Sequence, residues 1–160
     1  MRLRKYLLKD APMAGMMPQE KDIAALATVF VSSEAAGAPI DHAFDRQRGP
    51  GGSRWVAAEP GEQRRRLAFD TPQQLRTLLV EVEEPEVSRT QELHVAISED
   101  GGQSYWELRR QEYTFSPPGT TFEREEWAVM LVGVTHLSLV ITPDKGGKPC
   151  YATLTALVLR

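Results

Sequence analysis

Residues 89–108 read RTQELHVAISEDGGQSYWEL, and this stretch decides the class of fold. Within it, 92–98 (ELHVAIS) alternates, with Leu93, Val95 and Ile97 on one side and Glu92, His94 and Ala96 on the other. Successive side chains leave a strand on opposite faces, so this pattern predicts a strand with a core face and an outer face. Asp100-Gly101-Gly102 comes next. An Asp-Gly pair supplies the positive φ angles of a tight hairpin turn. Tyr105 and Trp106 then sit next to each other in the returning strand, so they face opposite ways: one toward the core, the other toward solvent.

The same grammar extends in both directions. Residues 75–83 (LRTLLVEVE) give a strand whose core face is Leu78, Val80 and Val82, which puts Glu81 and Glu83 on the solvent side. Residues 135–142 (THLSLVIT) place Leu137, Leu139 and Ile141 on one face, and 153–159 (TLTALVL) close the chain as a further strand. Glu84-Pro85, Pro117-Pro118-Gly119, Pro143-Asp144 and Gly146-Gly147 punctuate these runs. The one helical signal is 18–27 (PQEKDIAALA), with Pro18 at the first position and Glu20 and Asp22 in the first turn. No strand–helix–strand alternation exists. The expectation is an all-β, antiparallel β-sandwich of about eight strands over residues 27–160, preceded by a lead-in over 1–26.

Composition bounds the rest. A chain of 160 residues with 41% hydrophobic and 26% charged residues is one ordinary globular domain. The single cysteine, Cys150, excludes an internal disulfide and fits a reducing compartment. A net charge of -3 argues against a nucleic-acid partner. Arg2, Arg4 and Lys5 resemble the start of a secretory leader, but Lys9, Asp10 and Pro12 interrupt the apolar run that should follow. The longest uncharged stretch, 128–142, falls short of a membrane span. The expected setting is cytoplasmic, with no membrane partner. The chain also has no asparagine, so any sugar would be held by Arg, Gln, His, Asp or Glu.

Three segments together resemble the discoidin, or coagulation-factor type C, group of the galactose-binding-like jelly rolls. Residues 43–57 (AFDRQRGPGGSRWVA) are similar to that family's Asp turn and Ser-x-Trp element. Residues 89–108 resemble its strand, Asp-Gly turn and following aromatic, and 134–144 (VTHLSLVITPD) its apolar strand before the last loop. The resemblance covers residues 27–160 and implies a jelly roll without a catalytic centre. Its members bind glycans, lipid headgroups or proteins through loops at one end. Many hold calcium with backbone carbonyls, the Asp of the first turn and a Glu in the last strand. Asp45 matches that Asp, whereas Ala156 stands where the Glu is expected. No other cofactor is implied.

The loop over 41–54 (DHAFDRQRGPGGSR) carries the candidate ligand contacts: His42, Arg46, Arg48 and Arg54 as donors around a Gly-Pro-Gly-Gly turn. Trp106, or Tyr105, would supply a stacking face. The turn is no phosphate-binding loop, because no Gly-Lys-Ser/Thr follows. Arg64-Arg65-Arg66 reads as a solvated strand edge forming a small basic patch with Arg54. Trp55 and Trp127 read as core. His42, His94 and His136 lack metal spacing, and Cys150 has no activating neighbour. The expected function is a non-catalytic carbohydrate-binding module. The alternative is a protein-docking subunit, favoured by Met13, Met16 and Met17 in the lead-in.

Overall fold

The computed structural model describes residues 19–160. After a single helical turn, α1 (Ile23–Leu26), eight strands follow: β1 (Ala27–Val31), β2 (Trp55–Val56), β3 (Gln63–Glu83), β4 (Arg89–Ser98), β5 (Trp106–Phe115), β6 (Phe122–Thr142), β7 (Thr153–Leu154) and β8 (Ala156–Leu159). A 3₁₀ turn (Ile40–Ala43) opens the loop before β2. All pairings are antiparallel. The expected helix over 18–27 is cut to one turn; Pro18 lies outside the described residues, and Ala27 onward is already extended and paired with β3.

The sandwich comes from two long strands that bend. β3 and β6 pair along most of their length, but the register shifts between Ala68 and Thr77. Pro72, which lacks an amide donor, lies at the shift on β3, and Gly133, at φ 75°, lies opposite on β6. On one side of the bend the order is β1-β3-β6-β4-β5; on the other, β3 lies between β6 and β8. β2 and β7 form a separate pair.

Each half turns its alternating apolar face inward. Leu67, Leu93, Val95, Ile97, Leu137, Leu139 and Ile141 from one half meet Leu78, Val80, Val82, Trp127, Leu157 and Leu159 from the other in one buried cluster. The core faces expected for 75–83, 92–98 and 135–142 are therefore present as read. Trp55 is fully buried and donates from Nε1 to the Ser33 carbonyl at 3.0 Å.

Two readings need correction. Glu81 is buried, not solvent-facing: the loop over 41–54 lies across the outer face of that half, and the Gly49 amide donates to Glu81 Oε2 at 2.9 Å. Arg64-Arg65-Arg66 is not a uniformly solvated edge either. β3 is flanked on both sides there, by β1 and β6, and only Arg64 and Arg66 point out. Arg65 points inward, its guanidinium 3.3 Å from the Trp55 ring centroid.

A second buried arginine closes one end of the sandwich. Arg89 donates to Glu84 Oε1 at 2.8 Å, Gln91 Oε1 at 2.7 Å, the Pro143 carbonyl at 2.8 Å and Thr153 Oγ1 at 3.0 Å. It ties together β4, the β3–β4 turn, the β6–β7 loop and β7.

Candidate functional site

The loop over 41–54 is built largely to hold itself. Arg48 pairs with Glu20, and the His42 ring nitrogen Nδ1 lies 3.0 Å from the Arg54 carbonyl. Arg54 donates to the Glu83 carbonyl at 3.3 Å, and the Gly51 amide reaches both Glu83 carboxylate oxygens at 3.0–3.1 Å. Asp45 accepts from the Gln47 amide at 3.0 Å and from the Ser53 hydroxyl. A Gly-rich turn exposes amides that need acceptors. Here Glu81 and Glu83 reach up from β3 to supply them. Of the four donors proposed for a ligand, Arg46 alone is exposed rather than half-buried, on a backbone at φ 66°.

Trp106 is exposed as expected, at 43%, but it is not brought to that loop. It pairs with Ile97, eight residues along β4 from Arg89, which marks the loop's end of the sandwich. At ~3.3 Å per residue this separates them by about 26 Å. Trp106 leaves on the core side of β5, at the free edge of the sheet, while Tyr105 lies half-buried over the other face beside Arg66.

Two side chains of the calcium shell implied by the sequence resemblance can be placed. Calcium takes six to eight oxygens. Both Asp45 oxygens already accept hydrogen bonds, and Ala156 pairs with Glu81 in the strand position where a carboxylate was expected. Among the described residues no group of three His, Cys, Asp or Glu side chains could hold a metal ion. Cys150 is buried, and burial pushes its thiol up.

A second place was not singled out by the sequence: a cleft of about 510 Å³ on the outer face of the β1-β3-β6 sheet. Register builds it. Phe30 pairs with Arg66, Arg66 with Ser138, and on the next rung Ala68 with His136. Ala68 keeps the floor low, Ser32 and Arg64 extend the lining along β1 and β3, and Phe30 stands up at 57% exposure. The Arg66 guanidinium lies 5.3 Å from the Tyr105 ring centroid, a distance at which a cation is attracted to the ring face. The Tyr105 hydroxyl is buried without a hydrogen-bond partner, and the His136 ring abuts the Gly102 side of the 100–102 turn. Among the described residues, Arg66 has no carboxylate within 4 Å, and Arg64 has only the exposed Glu62 at 3.9 Å. Among the described residues, no acidic side chain lines the cleft.

Comparison with solved structures decides the fold. A CBM32 module from a family 31 glycoside hydrolase of Clostridium perfringens superposes at a TM-score of 0.62, with 14% identity, covering 88% of this chain and 93% of that one. The fold is a galactose-binding-like jelly roll of the discoidin type. Other jelly rolls of this kind match similarly. A pectin-binding carbohydrate-binding module superposes at a TM-score of 0.58, with 16% identity and coverage of 84% and 90%. The CBM32 of AlyQ, in complex with 4,5-unsaturated mannuronic acid, gives 0.58, 14% identity and coverage of 89% and 98%. No family model and no curated protein matches the sequence. The jelly roll thus carries two surfaces to weigh, a braced loop end and an open cationic cleft.

Proposed function

We propose that this jelly roll is a non-catalytic carbohydrate-binding domain. The observation that carries the reading is the cleft: an exposed aromatic ring, Phe30, standing beside polar groups of Arg66, His136 and Ser138 on a rigid sheet. A pyranose offers an apolar face to stack on a ring and hydroxyls to pair with such groups. Sites built on strands hold that geometry more tightly than mobile loops do. The fold neighbours support the reading: solved structures among them are complexes with GalNAc-β-1,3-galactose, galactose and 4,5-unsaturated mannuronic acid. At the loop end the exposed donors are Arg46 and Gln47.

The test is a thermal-shift panel of neutral and acidic sugars, each with and without calcium. A sugar at ~100 times its dissociation constant adds about 2.7 kcal/mol and moves the melting point by several degrees. A panel with no shift from any sugar contradicts the reading.

A protein-docking role has its own support in Met130 and Val132, which stand 84% and 71% exposed near the bend of β6. Met13, Met16 and Met17, which first suggested that role, lie outside the described residues. Protein docking would leave every sugar in the panel silent.

A further inference from the structure

We infer that the cleft selects sugars bearing a carboxylate, a uronic-acid oligosaccharide rather than a neutral one. This rests on the carbohydrate-binding reading and narrows its ligand. Charge makes the argument. Arg64 and Arg66 project from the same face of β3, two residues apart, and among the described residues no acidic side chain lines the cleft; only the exposed Glu62 lies near Arg64, at 3.9 Å. Arg66 has no carboxylate within 4 Å among the described residues, unlike Arg110 and Arg160. Arg110 is clamped by Glu92 at 2.9 Å and by Glu107 at 2.8 Å, and Arg160 by Glu126 at 2.8 Å. Arg66 is instead left open, over the Tyr105 ring.

A guanidinium presents a planar fork that matches a planar carboxylate with two parallel hydrogen bonds. The Tyr105 ring, 5.3 Å from the guanidinium, holds the arginine over the cleft before a ligand arrives, which lowers the ordering cost of binding. Phe30 pairs directly with Arg66 across β1 and β3. A sugar ring laid on Phe30 thus brings a ring carboxylate to Arg66, while Ser138, the next residue across on β6, and His136 remain for hydroxyls. A neutral sugar would keep the stacking and lose the charged pair.

The experiment is isothermal titration of the whole chain with trigalacturonate and with galactotriose at low salt, repeated with Arg66→Gln and Phe30→Ala. Circular dichroism and melting curves of both variants verify that they fold. Trigalacturonate should bind about tenfold tighter than galactotriose or better, and Arg66→Gln should remove most of that preference. Phe30→Ala should weaken both sugars alike, and added salt should weaken only the acidic one. Equal binding of the two sugars, or an unchanged preference in folded Arg66→Gln, overturns the carboxylate assignment while leaving carbohydrate binding intact. Binding lost through Arg46→Ala, with Arg66→Gln and Phe30→Ala silent, overturns the cleft and moves the site to the loop end. No heat with either sugar overturns the assignment, and a silent wider panel then removes the functional reading as well.

Discussion

Arg65→Met should make the protein more stable, although the side chain it removes is among the most buried in the molecule. Arg65 is 2% exposed, and its Nε, Nη1 and Nη2 have no hydrogen-bond partner among the described residues. Its one compensation is the Trp55 ring at 3.3 Å, worth about 2 kcal/mol for a desolvated cation. Against that stands a desolvation penalty of several kcal/mol per buried ion. The penalty lowers the guanidinium from its ordinary value to about 9. Methionine keeps the apolar stem on Trp55 and removes the charge, for a net gain of about 1–3 kcal/mol. In a domain of this size that raises the melting point by roughly 2–10 °C.

The pH dependence has a definite sign. Because folding lowers this pKa, the unfolded chain holds the extra proton above about 9, up to the ordinary arginine value, and stability rises with pH across that window. The advantage of Arg65→Met is therefore full at neutral pH and shrinks above about 9. Urea denaturation of parent and variant at pH 7 and pH 10 measures both. Arg89→Met is the control, because the same chemical change there strands the Glu84 carboxylate, Gln91, Pro143 and Thr153 acceptors. It should cost about 3–5 kcal/mol. If Arg65→Met destabilises by more than ~1 kcal/mol, the reasoning about an unpartnered buried cation fails.

Two further outcomes follow from local environments. Burial raises the Cys150 thiol, so a thiol reagent should label the native protein slowly and the urea-unfolded chain fast; equal rates would contradict its enclosure. Hydrogen bonds, first from the Ser104 side chain, hold Asp100 down at about 2 from 3.8, so its support for the 100–104 turn is complete above pH ~4 and is lost as pH falls through about 2. NMR titration should show that low midpoint, and Ser104→Ala should raise it; an unmoved midpoint refutes the cause.

Much of the fold was legible because its core strands obey a simple alternation. Leu93, Val95 and Ile97, and Leu137, Leu139 and Ile141, all reached the core faces their spacing assigned. The 21-residue lengths of β3 and β6 were not legible. Pro72 and Gly133 punctuate each strand at a bend, so only the C-terminal half of each reads as a strand. Glu81 was misread because alternation names a second face without saying what covers it, and a glycine amide from the 41–54 loop does.

The same loop looked like a ligand site because it is rich in donors. Their partners, Glu20 and Glu83, lie about 30 residues away in sequence, where no local pattern shows them. The cleft was hidden for a related reason. Phe30, Arg66 and Ser138 sit more than 30 residues apart from one another, and only the β1-β3-β6 register sets them side by side. A usable signal did exist in Arg64-Arg65-Arg66: in a strand, period two sends the middle arginine to the opposite face from its neighbours.

The most direct test of the central claim is a ¹H–¹⁵N NMR titration of the folded chain with trigalacturonate. Amide shifts clustered at Phe30, Arg66, His136 and Ser138, saturating with ligand, are the predicted result. Shifts confined to residues 41–54, or no shift at all, would contradict binding at the cleft.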